Sequence, residues 1–329
     1  MCHNQARQEP FLTGPFSELS LRMRLLLASS WLGFAVAFLT PFHANAQIDG
    51  AKHVIVLGCD GMGSLAFKGT NTPNLAKLMQ RGASTFKARG VMPTSSSPNW
   101  ASMIMGAGPE QHGVTSNEWQ TNKMEFLPTV SGPSGHFPTI FRLLREQRPT
   151  SHTAAIHDWS DFGRLIEPGV ANTVQHVKGS ILTSERAIAY WKQHKPTLLF
   201  IHFDDVDHTG HGFGWETPQY VKTVALVDGL IGDIVAAVRE TGDEANTVFL
   251  MTADHGGTAK KHGGNTMVEL EIPWIIAGPG IVAGREIKSP VNTYDTAATI
   301  AHILGVKPHP AWIAKPVSEA FTAAAPSAK

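Results

Sequence analysis

The sequence predicts an α/β sandwich, a mainly parallel central sheet flanked by helices, and three observations carry that expectation. Short apolar runs at His53–Leu57, Thr197–Phe203, Thr247–Thr252 and Trp274–Ala277 read as buried strands. Between and after them, helical periodicity covers Thr72–Arg81, Phe137–Gln147, Ser184–His194, Gln219–Glu240 and Thr293–Leu304. Alternation of this kind places a sheet between layers of helix. Third, Asp60, Asp207 and Asp254 each follow an apolar run. Parallel strands converge at their C-terminal ends, so these acids are expected to share one edge of the sheet.

At the N-terminus, Arg22 and Arg24 precede the apolar run Leu25–Leu39, and Ala44-Asn45-Ala46 offers a small-residue cleavage site. Residues 1–46 therefore read as an upstream extension and a cleavable signal peptide, with Met23 an alternative start. The 15-residue run is short of the ~20 a membrane span needs. A retained anchor is the competing reading. A periplasmic or secreted protein with no permanent membrane anchor is expected. Cleavage would leave Cys59 as the sole cysteine, without an intrachain disulfide. The first strand ends at Gly58; the following helix has Pro73 in its first turn and Gly82 as its stop signal. The helix Gln219–Glu240 carries an amphipathic stripe through Val221, Val224, Ala225, Val227, Asp228, Leu230, Ile231, Ile234, Val235 and Val238. No repeat or linker interrupts residues 47–322, which read as one domain; the Ala/Pro-rich stretch 323–329 is expected to be a disordered tail. With 27 basic and 27 acidic residues, nothing points to a nucleic-acid scaffold or a membrane-surface patch.

The chemistry-bearing segments are I-V-L-G-C-D-G ending at Asp60–Gly61, P-T-S-S-S-P-N around Ser96, D-H-T-G-H from Asp207 to His211, T-A-D-H-G-G with Asp254 and His255, and K-K-H-G-G with His262. Carboxylate oxygens suit hard divalent cations, and zinc also takes imidazole. Three aspartates, three histidines and a serine are what two adjacent cations and a metal-activated alcohol require. Asp207 and His211, four apart, are expected to reach one cation from a turn. Asp254-His255 is expected to need a glycine-relieved turn for both side chains to face one site. A serine hydroxyl needs activation. With no Ser-His-Asp arrangement or G-x-S-x-G elbow evident, a metal is the economical route for Ser96, just before the helix that Pro98-Asn99-Trp100 opens. Helix N-termini favour phosphate there.

These motifs resemble the nucleotide pyrophosphatase/phosphodiesterase branch of the alkaline phosphatase superfamily, over roughly Lys52 to Val306. The resemblance implies an alkaline-phosphatase-like three-layer sandwich and a metallo-phosphodiesterase catalytic domain. It implies Ser96 as nucleophile, where the family's usual residue is threonine. One metal would be held by Asp60, Ser96, Asp254 and His255, the other by Asp207, His211 and His262. Asn117, 21 residues after Ser96, would contact a phosphate oxygen. Two divalent cations, zinc by family habit, a phosphoserine intermediate and a small-molecule phosphodiester or pyrophosphate substrate follow from the same likeness. His262 stands closer to the D-H-G motif than in many members.

Three alternatives stand beside this reading. A sulfatase would need arginine where Trp100 stands. A typical phosphomonoesterase of this superfamily would carry an arginine clamp two residues after the nucleophile, where Pro98 stands. A non-catalytic secreted metal-binding protein would carry the ligands without turnover. Asp204, Asp205 and His208 are candidate supports for Asp207. Trp100, Trp119 and Trp215 are candidates for an aryl-stacking wall, with core packing the competing role. Cys59 reads as a buried thiol. Specificity is expected in the loops Trp119–Gly135 and Asp158–Gly179.

Overall fold

A computed structural model of the chain describes residues 47–321; the expected leader and tail lie outside the described residues. In chain order the elements are β1 (His53–Cys59), α1 (Pro73–Arg81), β2 (Gly82–Arg89), α2 (Ser96–Met105), the single-turn α3 (Pro109–His112), α4 (Ile140–Gln147), β3 (Thr153–His157), β4 (Thr173–His176), α5 (Ser180–His194), β5 (Leu198–Phe203), α6 (Asp205–Phe213), α7 (Pro218–Glu240), β6 (Thr247–Thr252), the single-turn α8 (Met267–Leu270), β7 (Glu271–Ala277), β8 (Arg285–Glu286) and α9 (Asp295–Ile303).

The sheet runs β4-β3-β5-β1-β6-β7-β2-β8. Neighbours from β4 to β6 are parallel, as are β2 and β8; β7 alone runs against both of its neighbours. The expected mainly parallel sheet is therefore present, with one reversed strand. Residues 54–59 of β1 and all of β5 and β6 are buried, which requires cover on both faces. One group of helices, α1, α5 and α6, packs on α7; a second group joins α2 to α3, α4 and α9. Of the stripe expected on α7, Val224, Val227, Asp228, Leu230, Ile231, Ile234 and Val238 are buried, while Val221, Ala225 and Val235 are half-buried.

Strands β2, β3, β4 and β8 lie outside the runs expected from sequence. The first mixes Ser84, Thr85, Lys87 and Arg89 into a half-exposed strand, and β3 is short and alanine-rich. Neither shows the continuous β-branched run that marks the central strands.

Register then positions the site. Cys59 pairs with Phe203 and Gly58 with Thr252, so β1, β5 and β6 end at one level. Asp60, the start of α6 and Asp254 leave the sheet side by side.

Candidate functional site

Asp60, immediately after β1, is 1% exposed, and Asp254, two residues beyond β6, is fully buried. The chain turns at Gly61 with φ +67°, and a Cβ there would fall 2.7 Å from the Asp207 Cα. Glycine is needed on both counts, and α6 can thereby press Asp207 against the β1 turn. Asp207 and His211 lie one helical turn apart on α6, not in the expected turn. The sequence D-V-D-H-T-G-H has little helix propensity, so burial of Val206 and Gly210 sets its conformation. Ser96 is the first residue of α2, with Ser95 as the N-cap, rather than the residue before the helix. The glycines after His255 act differently from expectation. Gly256 has no positive φ; a Cβ there would stand 2.2 Å from the Val268 carbonyl oxygen. Close approach of two backbones, not turn geometry, fixes that position.

His255 Nδ1 donates to the Gly256 carbonyl at 2.9 Å, which leaves Nε2 with a free lone pair. Around that nitrogen stand Ser96 Oγ at 3.3 Å, Asp60 Oδ1 at 3.4 Å and Asp254 Oδ2 at 3.2 Å. The second set has the same construction. His211 Nδ1 meets the Lys260 carbonyl and His262 Nδ1 the Thr94 carbonyl, at 3.0 and 2.9 Å. Their Nε2 atoms face Asp207 at 3.4 and 3.7 Å. The His255 and His262 rings stack with centroids 3.7 Å apart, so the two sets adjoin.

A divalent cation fits this arrangement on three grounds. Asp60 Oδ1, Asp207 Oδ1 and Asp254 Oδ2 are buried oxygens without a hydrogen-bond partner, although the other Asp254 oxygen accepts from Gly61 N and His255 N. Orphaned carboxylate oxygens are costly unless a cation meets them. Ligands about 2.05 Å from a tetrahedral zinc stand ~3.3 Å from one another, close to most of the spacings above. The electrostatics agree. Burial, and next the charge of Asp60, push the Asp207 and Asp254 carboxyls well above the ordinary range. Burial also raises Asp60, but the hydrogen bond from His202 and the nearby His255 outweigh it and hold Asp60 below its usual value. Burial lowers His255 to about 3 and also lowers His262, keeping both imidazoles neutral.

Asn117 reaches the same place from the loop after α3. Its Oδ1 accepts from Ser97 N at 2.8 Å, which leaves the Nδ2 end of the amide uncommitted to that bond. Asp60, Ser96, Asp254 and His255 thus meet at the strand ends, Asp207, His211 and His262 adjoin them, and Asn117 is bonded to Ser97. The supporting residues are less visible in sequence. His202 Nε2 and Trp100 Nε1 donate to Asp60 Oδ2 at 3.2 and 2.9 Å. A histidine inside the apolar run of β5 is the available signal for the first. Arg164 donates through Nη2 to the Asn117 carbonyl and to Ser97 Oγ, the latter at 3.2 Å, and no motif announces it.

The other candidates surround this site rather than join its two sets, and Asp204 stands beside Asp60 and His202. Trp100, Trp119 and Trp215 are all buried. Trp100 braces Asp60, and Trp215 donates to the Gly61 carbonyl at 2.9 Å, so these two support the turn rather than form a wall. Asp205 accepts from Ser180 N, and burial with the charge of Asp60 pushes Asp204 up to about 7. Cys59 is buried and its thiol pushed up by burial.

Known proteins fit this picture. A quadruple mutant of the alkaline phosphatase PafA shares the fold, with TM-score 0.70, 12% identity, and coverage of 84% of this chain and 99% of that one. The architecture is therefore alkaline-phosphatase-like. Residues 54–275 match the model of the type I phosphodiesterase / nucleotide pyrophosphatase family, and the chain belongs to that family. Human ectonucleotide pyrophosphatase/phosphodiesterase family member 1 is 25% identical over 207 residues, 58% of this chain and 22% of that protein. Arylsulfatase K of Danio rerio is 31% identical over 121 residues, 28% of this chain and 23% of that protein. The chain spans under a quarter of the length of either relative.

Proposed function

We propose that this chain hydrolyses phosphodiester or pyrophosphate bonds of small molecules through a phosphoserine intermediate on Ser96, with two divalent cations, zinc by the mixed Asp/His donor set. The observation that carries this is the trio of buried carboxylate oxygens without partners, interleaved with neutral imidazole nitrogens around a serine hydroxyl. Asp60, Ser96, Asp254 and His255 would hold one cation; Asp207, His211 and His262 would hold the other. Bound there, the cations would lower the hydroxyl pKa and neutralise charge developing on the phosphoryl group and leaving oxygen.

Ser96 Oγ then bonds to phosphorus as the bond to the leaving oxygen breaks, and the leaving group takes up a proton. In the second displacement water bonds to phosphorus, the Oγ–P bond breaks, and Oγ regains its proton. Asn117 Nδ2 and the first turn of α2 would steady the phosphoryl oxygens. The carbonyls of Gly256, Lys260 and Thr94 keep each histidine in the tautomer that presents Nε2. The catalytic unit is proposed as residues 47–322. Export to the periplasm or outside the cell is read from the leader; no helix among the described residues is long and apolar enough to cross a membrane.

Two rivals remain within the superfamily. Against a sulfatase, Trp100 stands where the arginine of that motif belongs and is committed to Asp60. A phosphomonoesterase gains from Arg164, a cation within one residue of the nucleophile. Hydrolysis of bis-p-nitrophenyl phosphate, p-nitrophenyl phosphate and p-nitrophenyl sulfate, with and without chelator, separates them. The diester should be preferred and chelator should abolish turnover. Preference for the monoester sinks the diesterase assignment, and no turnover of any ester by metal-loaded protein leaves the non-catalytic alternative. Ser96→Ala should lose at least about 10³-fold in kcat with metal content retained. An active variant would move the nucleophile to Thr94, Ser95 or Ser97.

A further inference from the structure

The Arg164 guanidinium has no part in either proposed metal set, yet it stands beside the nucleophile. It comes from the short 3-10 turn Ser160–Leu165 that follows β3. Nη2 donates to the Asn117 main-chain carbonyl and to Ser97 Oγ, and Nη1 lies 3.0 Å from Asp161 Oδ2. Nε is buried without a partner. Asn117 in turn accepts from Ser97 N through Oδ1 at 2.8 Å. The stretch Thr115–Glu118 contains no helix or strand, so these bonds are what fix the asparagine against α2.

The placement is unfavourable for folding alone. The start of a helix carries partial positive charge and leaves N–H groups unpaired, so cations there are repelled. Arg164 nevertheless reaches Ser97, the second residue of α2. Among the described residues its charge is compensated only by Asp161, whose side chain is 43% exposed, and by the face of the Trp159 ring 5.9 Å away, both weak partners. A neutral side chain could tie two acceptors together equally well. A cation at this point is favoured once an anion occupies the helix start.

We propose that Arg164 is a positioning residue for phosphate recognition: it locks Asn117 and Ser97 into one unit, with the Asn117 amide directed at the phosphoryl group, and its charge favours the anionic substrate. This rests on the reaction proposed above. It predicts that the role of Arg164 runs through Asn117, and a double-mutant cycle reads that directly.

Bis-p-nitrophenyl phosphate kinetics would be measured on the metal-loaded wild type, Arg164→Met, Asn117→Ala and the double variant, with metal stoichiometry on each. Each single change should lower kcat by about tenfold or more with KM within about threefold, and the double variant should be no slower than the slower single. Arg164→Lys keeps the charge but not the forked geometry, so it should fall between wild type and Arg164→Met. Added guanidinium ion should restore part of the turnover of Arg164→Ala. Fold-losses that multiply in the double variant, or an Arg164→Met enzyme as fast as wild type, overturn the proposal. A wild-type protein that turns over no diester sinks the underlying reaction first, before any variant is needed.

Discussion

Asp228 and Asp254 are equally buried, at 1% and 0% exposure, yet their surroundings differ in kind. Asp228 sits in the middle of α7, and its carboxylate serves the start of α1. Oδ1 accepts from Leu75 N at 2.8 Å, and Oδ2 accepts from Asn74 N and Asn74 Nδ2 at 3.1 and 3.0 Å. Thr72, the N-cap of α1, makes no side-chain cap bond, so an aspartate from another helix does that work. Both of its oxygens are satisfied by donors. Asp254 has donors on Oδ1 only, with Oδ2 orphaned and Asp60 and Asp207 nearby. A buried carboxylate ringed by donors holds the fold together. One left half-satisfied among like charges is the kind of group a cation would satisfy.

The sharpest break of that comparison is Asp254→Asn. It should lower kcat/KM by at least about 10²-fold and reduce bound metal, while metal-free protein unfolds no more easily than wild type. Unchanged metal stoichiometry, measured by elemental analysis, would remove Asp254 from the ligand set. Asp228→Ala should do the reverse. It orphans the Asn74 and Leu75 N–H groups and should cost about 2–3 kcal/mol in denaturant unfolding, with metal content and KM near wild type. Loss of metal from that variant would mean that the packing of α1 on α7, rather than strand-end geometry, sets the site.

The same contrast explains what can be read from sequence. Strands β1, β5 and β6 are legible because burial on both faces demands continuous apolar runs. The acids after them are legible because topology brings parallel strand ends together. Neither the helical setting of Asp207 and His211 nor the close approach at Gly256 can be read, since tertiary contacts decide both. Asp228 stands in sequence only as one residue within an amphipathic helix, with no mark of its cross-helix bonds. Arg164 is invisible for a related reason. Its partners, Ser97 and Asn117, are 67 and 47 residues away, and no local pattern encodes such a meeting.

The smallest expected effect is one of sign, and it reads Asp254 together with the carboxylates of Asp60 and Asp207 that act on it. In metal-free protein, burial and then the charge of Asp60 hold its carboxyl well above the value of about 4 found in unfolded chains. A group raised on folding contributes stability that is fully present below the unfolded value and is lost as pH rises through the folded one. The amide introduced by Asp254→Asn cannot ionise and loses nothing over that interval. The stability of Asp254→Asn relative to wild type, both in chelator, should therefore grow from pH 5 to pH 8. Buried histidines such as His255, lowered to about 3 by burial, act in the opposite sense below about pH 6.5, but they are common to both proteins and largely cancel in the difference. With metal restored, the ordering should reverse, because binding to the folded state adds stability that only the intact ligand set can draw on. A difference that stays flat with pH in chelator would mean that Asp254 ionises freely without a cation, and its orphaned oxygen would then be ordinary polar structure like that of Asp228.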